Sequence, residues 1–349
     1  MPLLLLFRSA IALGAQRRGT IWIGDFRPGL LAGMMVCLGT GACPAQPASG
    51  PNQFADLPVG LTSFGAAVLG DNLYVYGGHT GEAHAYSVAE QSGELRRLRL
   101  TGDGGWETIS QEERLQGLAL VAHGDRLIRI GGFTARNEEG ADHDLWSTAA
   151  VRRYDPQAGV WEELPALPEP RSSLDAVVLA NHLYVVGGWE LSGGDESRWH
   201  DTAWSLDLTA DSPVWKSTPQ PPFRRRAIAL AVHAGKVHAI GGMDEAGPTN
   251  HVAILDPESQ RWETGPDLPG KPFEGFGASA WSTGGKLYVS TNQGRLFRLS
   301  DDGNSWERIQ KLKSKRLFHR MVPFQRGLLL VGGVNMEEGK YLELEWVGL

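Results

Sequence analysis

A Gly-Gly pair returns five times behind the same short apolar run, and this repetition limits what the chain can fold into. It reads Leu73-Tyr-Val-Tyr-Gly77-Gly78, Leu127-Ile-Arg-Ile-Gly131-Gly132, Leu183-Tyr-Val-Val-Gly187-Gly188, Val237-His-Ala-Ile-Gly241-Gly242 and Leu328-Leu-Leu-Val-Gly332-Gly333. The first four copies are spaced by 54, 56 and 54 residues. A period of about 50 residues is that of a repeat array. A sixth copy without glycines, Lys286-Leu-Tyr-Val-Ser290-Thr291, falls between the fourth and the last. Six units are therefore expected.

Each unit brings further marks. A Trp follows at Trp106, Trp161, Trp215, Trp262 and Trp306, and two units place Asp-Pro six residues ahead of it, at Asp155 and Asp256. Short runs of Val, Ile, Leu and Tyr between Gly, Asp and Asn turns indicate many short strands, and no stretch holds a long helical period. A four-stranded blade cannot bury both faces alone, so six must pack around an axis, with the Trp rings between neighbours. The combination resembles the kelch repeat over residues 52 to 349. The expected fold is all-β, a six-bladed kelch-type β-propeller. Its last unit holds three strands, Arg316 to Phe324, Gly327 to Val331 and Tyr341 to Trp346, before the chain stops. A strand at residues 51–61 is expected to complete the sixth blade and close the ring.

Residues 1–50 read as a separate leader. Arg27, the apolar run Leu30 to Leu38 and Cys43-Pro-Ala45 have the layout of a secretory signal, too short for a membrane span of about 20 residues. The expectation is an exported, periplasmic or extracellular domain over 51–349, without a transmembrane span. Cys43 is a weak candidate for a lipid anchor, because Thr40 departs from the usual pattern. The leader holds four arginines and one acid, so of the chain's net −7 the remainder carries −10. Such a surface repels phosphate backbones, which argues against a nucleic-acid partner.

The two cysteines, Cys37 and Cys43, both lie in the leader, which leaves the propeller without disulfide, thiol nucleophile or Cys-based zinc site. Galactose oxidase has a related kelch propeller, but its copper site needs a cysteine that is missing here. No cofactor and no metal are expected; Asp142-His143-Asp144 reads as a solvated loop tip.

Function in propellers sits on the loops around the central opening. Sixteen residues before each Gly-Gly position lie Leu61, Leu115, Arg171, Arg225, Glu274 and Arg316; two residues after it lie His79, Phe133, Trp189, Met243, Asn292 and Val334. The resemblance to ligand-binding kelch domains implies that both series line one face. Arg171, Arg225, Arg316, Glu274, Trp189, Glu190, His79 and Asn292 are the candidate ligand-binding residues. An arginine fork suits a carboxylate, so the expected partner is a protein or carbohydrate ligand, with a carboxylate-bearing one the natural guest. Equally, these arginines can hydrogen-bond loop carbonyls. An enzymatic alternative is drawn from the exported sialic acid mutarotases, also six-bladed kelch proteins, whose chemistry needs a carboxylate acid/base and a cation. Asp244 or Glu245 are the candidates for the carboxylate, but Met243 stands where that family's carboxylate is expected. The reading favours a binding module over a sugar mutarotase or isomerase.

Overall fold

The computed structural model describes residues 54–349. These form six radial sheets, and the strand order runs outward from the axis in the order of the chain. Blade 1 comprises Gly65–Leu69, Asn72–Tyr76, Glu94–Arg99 and Trp106–Gln111. Blades 2 to 5 repeat this plan from inner strands Ala119–His123, Asp175–Leu179, Ala229–His233 and Ser279–Thr283. Blade 6 has Arg320–Phe324, Gly327–Val331 and Glu345–Gly348, its last strand starting four residues later than the sequence pattern suggests. The six inner strands touch in succession and the sixth meets the first, which closes the ring. Among the described residues no α-helix occurs, only two short 3-10 turns.

Both faces of every blade are covered, so the second strands are buried on both faces and mostly apolar instead of alternating, with Arg129 and His238 among the buried polar exceptions. Tyr74, Val75 and Tyr76 in blade 1 and Leu328 to Val331 in blade 6 are all buried. Six apolar layers result, one per pair of neighbouring blades; the layer at the seam joins Phe64, Leu73 and Val75 to Val322, Leu329 and Val331. A Trp at the outer strand reaches back across several of these layers. Trp215, Trp262 and Trp306 donate from Nε1 to the carbonyls of Pro165, Pro219 and Pro266 at 2.8 Å, each on the chain leaving the preceding blade.

This regularity locates the start of the ring. Trp106 donates in the same way to the Ala55 carbonyl at 3.0 Å, and Leu57 N donates to the Leu342 carbonyl at 2.9 Å as Leu167 N does to Ala149 and Leu268 N to Asn250. Phe54–Gly60 is not a strand. It occupies, against the last blade, the place that the chain just past an outer strand occupies elsewhere. The closing strand expected over 51–61 is therefore not found on Phe54–Gly60; the residues before Phe54, with the leader and Cys43, lie outside the described residues.

The paired glycines carry the joints between blades. The second of each pair donates its N–H to a carbonyl of the next blade: Gly78 to Leu115, Gly132 to Arg171, Gly188 to Arg225, Gly242 to Gly275 and, across the seam, Gly333 to Leu61, all at 2.7–2.9 Å. A Cβ on the first glycine would strike that same carbonyl oxygen, at 2.4 Å for Gly131 and Arg171, and φ there is +57°. Gly131→Ala is therefore expected to cost about 1–2 kcal/mol from left-handed strain, plus the displacement of blade 3; equilibrium denaturation in urea measures it.

Blade 5 lacks the glycines, and strand pairing shows which residues hold their places. Ser279 pairs with Ser290 as Gly65 pairs with Tyr76, so Thr291 and Asn292 stand where Gly77 and Gly78 stand in blade 1. The sequence alignment on Ser290-Thr291 is thus one residue early. Ser290 and His319 replace an apolar pair that the other joints keep, Tyr76 with Leu118, Ile130 with Leu174 and Val186 with Ile228. Instead of packing, His319 sets its Nε2 2.6 Å from the Ser290 hydroxyl oxygen.

Candidate functional site

The residues fifteen before each first glycine make the floor of one end of the ring. Thr62, Gln116, Ser172, Arg226 and Leu317 pair by isolated bridges with His79, Phe133, Trp189, Met243 and Val334. The next residue in each blade, Ser63, Gly117, Ser173, Ala227, Gly277 and Phe318, has φ between +51° and +63°. These turn the chain down into the inner strand, and backbone bonds join them: Gly117 N to Ser63 O, Ser173 N to Gly117 O, Ala227 N to Ser173 O and Phe318 N to Gly277 O, at 2.6–3.0 Å.

Directly beneath this belt the axis is blocked. The inner strands begin with Gly65, Ala119, Asp175, Ala229, Ser279 and Arg320, four small residues and one opposed ion pair. Arg320 Nη1 donates to Asp175 Oδ1 at 2.9 Å, while its Nε reaches the Phe64 carbonyl and its Nη2 the Leu118 carbonyl. The other oxygen of Asp175 accepts from Leu230 N at 2.8 Å. Below the pair lies an axial cavity of about 300 Å³ lined by residues such as Val68, Ala122, Val178 and Trp281. The floor is thus closed, and the Gly-Gly end is a bowl.

Its wall is built by the loops after the glycines. Tyr86 on the blade 1 loop packs its ring on His79, Phe133 and His143, with centroids 5.1, 5.9 and 5.3 Å away. Asn137 of blade 2 donates to the Tyr86 carbonyl at 2.6 Å, and Gln91 exchanges two hydrogen bonds with the backbone of Ala135. Blade 2 locks in turn to blade 3, where Ser147 N donates to Leu191 O and Gly193 N to Leu145 O. In blade 3 the hairpin Trp189–Glu190 with Arg198–Trp199 brings two indoles together at 5.6 Å. Blade 5 makes only a tight turn at Thr291–Gly294, so the wall is low there.

The predicted arginines do not converge on the bowl. Arg171, Arg225 and Arg316 are buried, and each donates to the carbonyl of its own blade's first glycine, Gly187, Gly241 or Gly332, at 2.9–3.1 Å. A second carbonyl, of Thr202, His251 or Glu343, takes another donor. Burial draws the pKa of Arg171 and Arg225 down to about 10, leaving both charged. Glu274 falls out of the series, because Gly275 is the residue that accepts from Gly242 N as Arg171 and Arg225 accept in their blades. Its carboxylate pairs instead with Arg295 at 2.7 Å. Asn292 spans the blade 5 turn by donating to Phe273 O at 2.6 Å, and His79 holds the Ala85 carbonyl at 2.7 Å. Glu190 pairs with Arg198 at 2.9 Å. Asp244 caps its own hairpin by accepting from Ala246 N and Gly247 N, and Glu245 is exposed beside it. Of the predicted set, Trp189 faces the bowl together with residues that the count of sixteen passed over: Tyr86, Gln116, Trp199 and Arg226. A count of fifteen finds Gln116 and Arg226. Tyr86 and Trp199 sit on loops of unequal length and carry no register signal.

No group of three or more metal-ligating side chains occurs among the described residues, and no helix there is long and apolar enough to cross a membrane.

Comparison with known proteins agrees with this architecture. Residues 117–333 match the family model described as the KLHDC2/KLHL20/DRC7 Kelch-repeats domain. Kelch-like protein 35 of Mus musculus is 24% identical over 228 residues, covering 65% of this chain and 34% of that protein. Kelch-like protein 33 of Homo sapiens is 32% identical over 183 residues, 52% of this chain and 30% of the relative. The chain thus matches about a third of the length of these relatives. The solved structure titled "Structure of YjhT" superposes with a TM-score of 0.68 at 15% identity, over 85% of this chain and 97% of that one. On the six blades, their glycine joints and the matched family model, this chain belongs to the Kelch-repeat propellers.

Proposed function

We propose that this propeller is a binding module that receives a segment of a protein or a glycan in the bowl at its Gly-Gly end. The observation that carries the reading is the interlocked wall of blades 1 to 3, which holds Tyr86, Phe133, Trp189 and Trp199 around a floor sealed by Arg320 and Asp175. Aromatic side chains on fixed loops give large contact area at little entropic cost, as recognition surfaces require. A sealed floor makes the bowl a terminus for a ligand rather than a passage. The mutarotase reading has less support: Asp244 is committed to its own turn and Glu245 is solvated at the hairpin tip. Export remains part of the proposal, resting on the composition of residues 1–50.

A peptide and glycan array, read with the purified domain and with a Tyr86→Ala, Trp189→Ala double variant, tests the site. Ligands bound by the parent are expected to be lost by the variant at unchanged melting temperature. Equal binding by both would move the site off this face. Anomer exchange of acidic sugars by the parent would favour the enzymatic reading.

A further inference from the structure

We infer that the Gly-Gly end of blade 5 carries a second docking surface, outside the bowl, which takes an acidic polypeptide segment bearing an apolar side chain. The eight lysines of the chain all lie between Lys216 and Lys340. Four of them, Lys271, Lys311, Lys313 and Lys315, gather here. Lys271 precedes the 3-10 turn Pro272–Gly275, whose Gly275 accepts from Gly242 N. Lys311 ends the outer strand Trp306–Lys311, and the chain then crosses towards the bowl, with Leu312 N donating to the Gly294 carbonyl at 2.8 Å. Burial alternates along this crossing: Leu312 and Arg316 turn inward, and Lys311, Lys313 and Lys315 are exposed.

These lysines have no acid of their own. Among the described residues, the ion pairs that include a lysine are those of Lys236 and Lys286. Two acids close by are already engaged. Glu274 pairs with Arg295, and the buried Glu345 accepts from Lys313 N at 2.6 Å with Arg316 on its other side. On the blade 6 side Glu337, Glu338 and Glu343 are exposed, and none forms an ion pair with these lysines. The domain as a whole carries −10, but at physiological salt charges are felt over about 8 Å, so a segment arriving at blade 5 meets the cations and not the acidic remainder. Solvated ammonium groups on flexible stems suit such steering.

An apolar side chain stands beside the charge. Phe273, 45% exposed, is the one aromatic among the exposed large apolar residues described. It flanks the low turn Thr291–Gly294 on the side away from the lysine row: Asn292 donates to the Phe273 carbonyl at 2.6 Å, while a Cβ on Gly294 would meet the Ser314 carbonyl oxygen at 3.1 Å and the Lys315 side chain at 3.4 Å. Phe276 packs on Phe273 with ring centroids 6.1 Å apart and on Phe318 at 5.1 Å, so the exposed ring ends a packed row. This juxtaposition decides the class of partner. A nucleic acid or an acidic polysaccharide stays charged beyond the patch, where it meets the acidic remainder of the domain. A polypeptide confines its acids to a few residues and brings an apolar side chain for Phe273.

The test uses a fluorescein-labelled peptide, Glu-Phe-Glu-Gly-Glu-Gly-Glu, and its counterpart with Gln in place of Glu, read by fluorescence anisotropy at low and at physiological salt. The acidic peptide is expected to bind the parent domain about tenfold more tightly than the Gln peptide, the sum of several exposed ion pairs, and to weaken as salt rises. The triple change Lys311→Gln, Lys313→Gln, Lys315→Gln should remove most of that preference. The triple change Lys216→Gln, Arg224→Gln, Arg261→Gln takes the same charge from other parts of the surface and should leave it. Phe273→Ser should weaken the acidic peptide several-fold, but not a version with Gly in place of Phe. Equal affinity for the two peptides, equal loss in both triple variants, or tighter binding of a heparin oligosaccharide than of the acidic peptide overturns the proposal. A bowl ligand from the array, added in excess, should not displace the acidic peptide; displacement would put the peptide in the bowl and overturn the second surface while leaving the bowl reading to its own variants.

Discussion

Replacing Arg320 with alanine is expected to lower the unfolding free energy by about 3 kcal/mol, the low end of what removing one partner of a buried ion pair costs. The low end applies because a quarter of the Arg320 side chain is still exposed. Arg320 stands in blade 6 but holds the backbone of blades 1 and 2 and the carboxylate of blade 3, while Asp175 also holds the backbone of blade 4. Its loss leaves Asp175, itself 6% exposed, as an uncompensated anion on the axis. Asp175→Ala should be nearly as costly, for it strands the cation. The double change Asp175→Ala, Arg320→Ala is not expected to sum, since Gly65, Ala119 and Ala229 show that the belt accepts small apolar residues. Urea denaturation of the parent, the two single variants and the double variant gives the coupling energy; additive losses would mean that the pair does not act across the axis.

The second large effect is a loss of stability in mild acid. Burial depresses the pKa of His319 to about 3 and those of His238 and His200 to about 4. In the unfolded chain each returns to about 6.5. Below that value the unfolded state binds protons that the folded state refuses, so the contribution is complete above about pH 6.5 and declines as pH falls towards the folded pKa values. Each such histidine removes about 1.4 kcal/mol per pH unit within that window. For His200 burial outweighs Glu169, whose Oε2 lies 3.5 Å from its Nδ1 and favours its proton. Between pH 7 and pH 5 the three histidines together should cost the domain roughly 5–6 kcal/mol. The paired change Ser290→Val, His319→Leu gives this joint the apolar pair of the other blades and should remove about 2 kcal/mol of that loss. Melting curves across this range, with and without the paired change, check both the sign and the share.

How far the sequence carries is visible in single positions. The glycines were legible because two separate constraints, a positive φ and a neighbouring carbonyl within 2.4 Å of the missing Cβ at Gly77 and Gly131, allow nothing else. Trp106, Trp215, Trp262 and Trp306 were legible because they repeat one cross-blade hydrogen bond to a carbonyl, while Trp161 reaches the Ser110 hydroxyl instead. The glycine-free fifth blade was found from its apolar run, but without glycines to fix the register it was aligned one residue early. The hydroxyl of Ser290 answers to His319, 29 residues away in another blade, and no local pattern reports that contact.

The site was less legible. Arg171, Arg225 and Arg316 repeat in register because they do a repeated task, bonding the first-glycine carbonyl of their own blade. Arg226 does not repeat: its counterparts are Thr62, Gln116, Ser172 and Leu317. A residue that serves the repeat is marked by periodicity, and Arg226, which does not repeat, carries no such mark. The ion pair closing the axis escapes notice for the same reason, since Asp175 and Arg320 are 145 residues apart and each departs from the small residues of its register.

The central claim is that recognition occurs in the bowl at the Gly-Gly end. Amide hydrogen exchange of the domain, with and without the strongest ligand from the array, tests it most directly. Slowed exchange in residues 79–93, 133–149, 189–201 and 243–250 is the result this account predicts. Slowed exchange confined to the opposite turns, at Gly70-Asp71, Gly124-Asp125 and Ala234-Gly235, would contradict it.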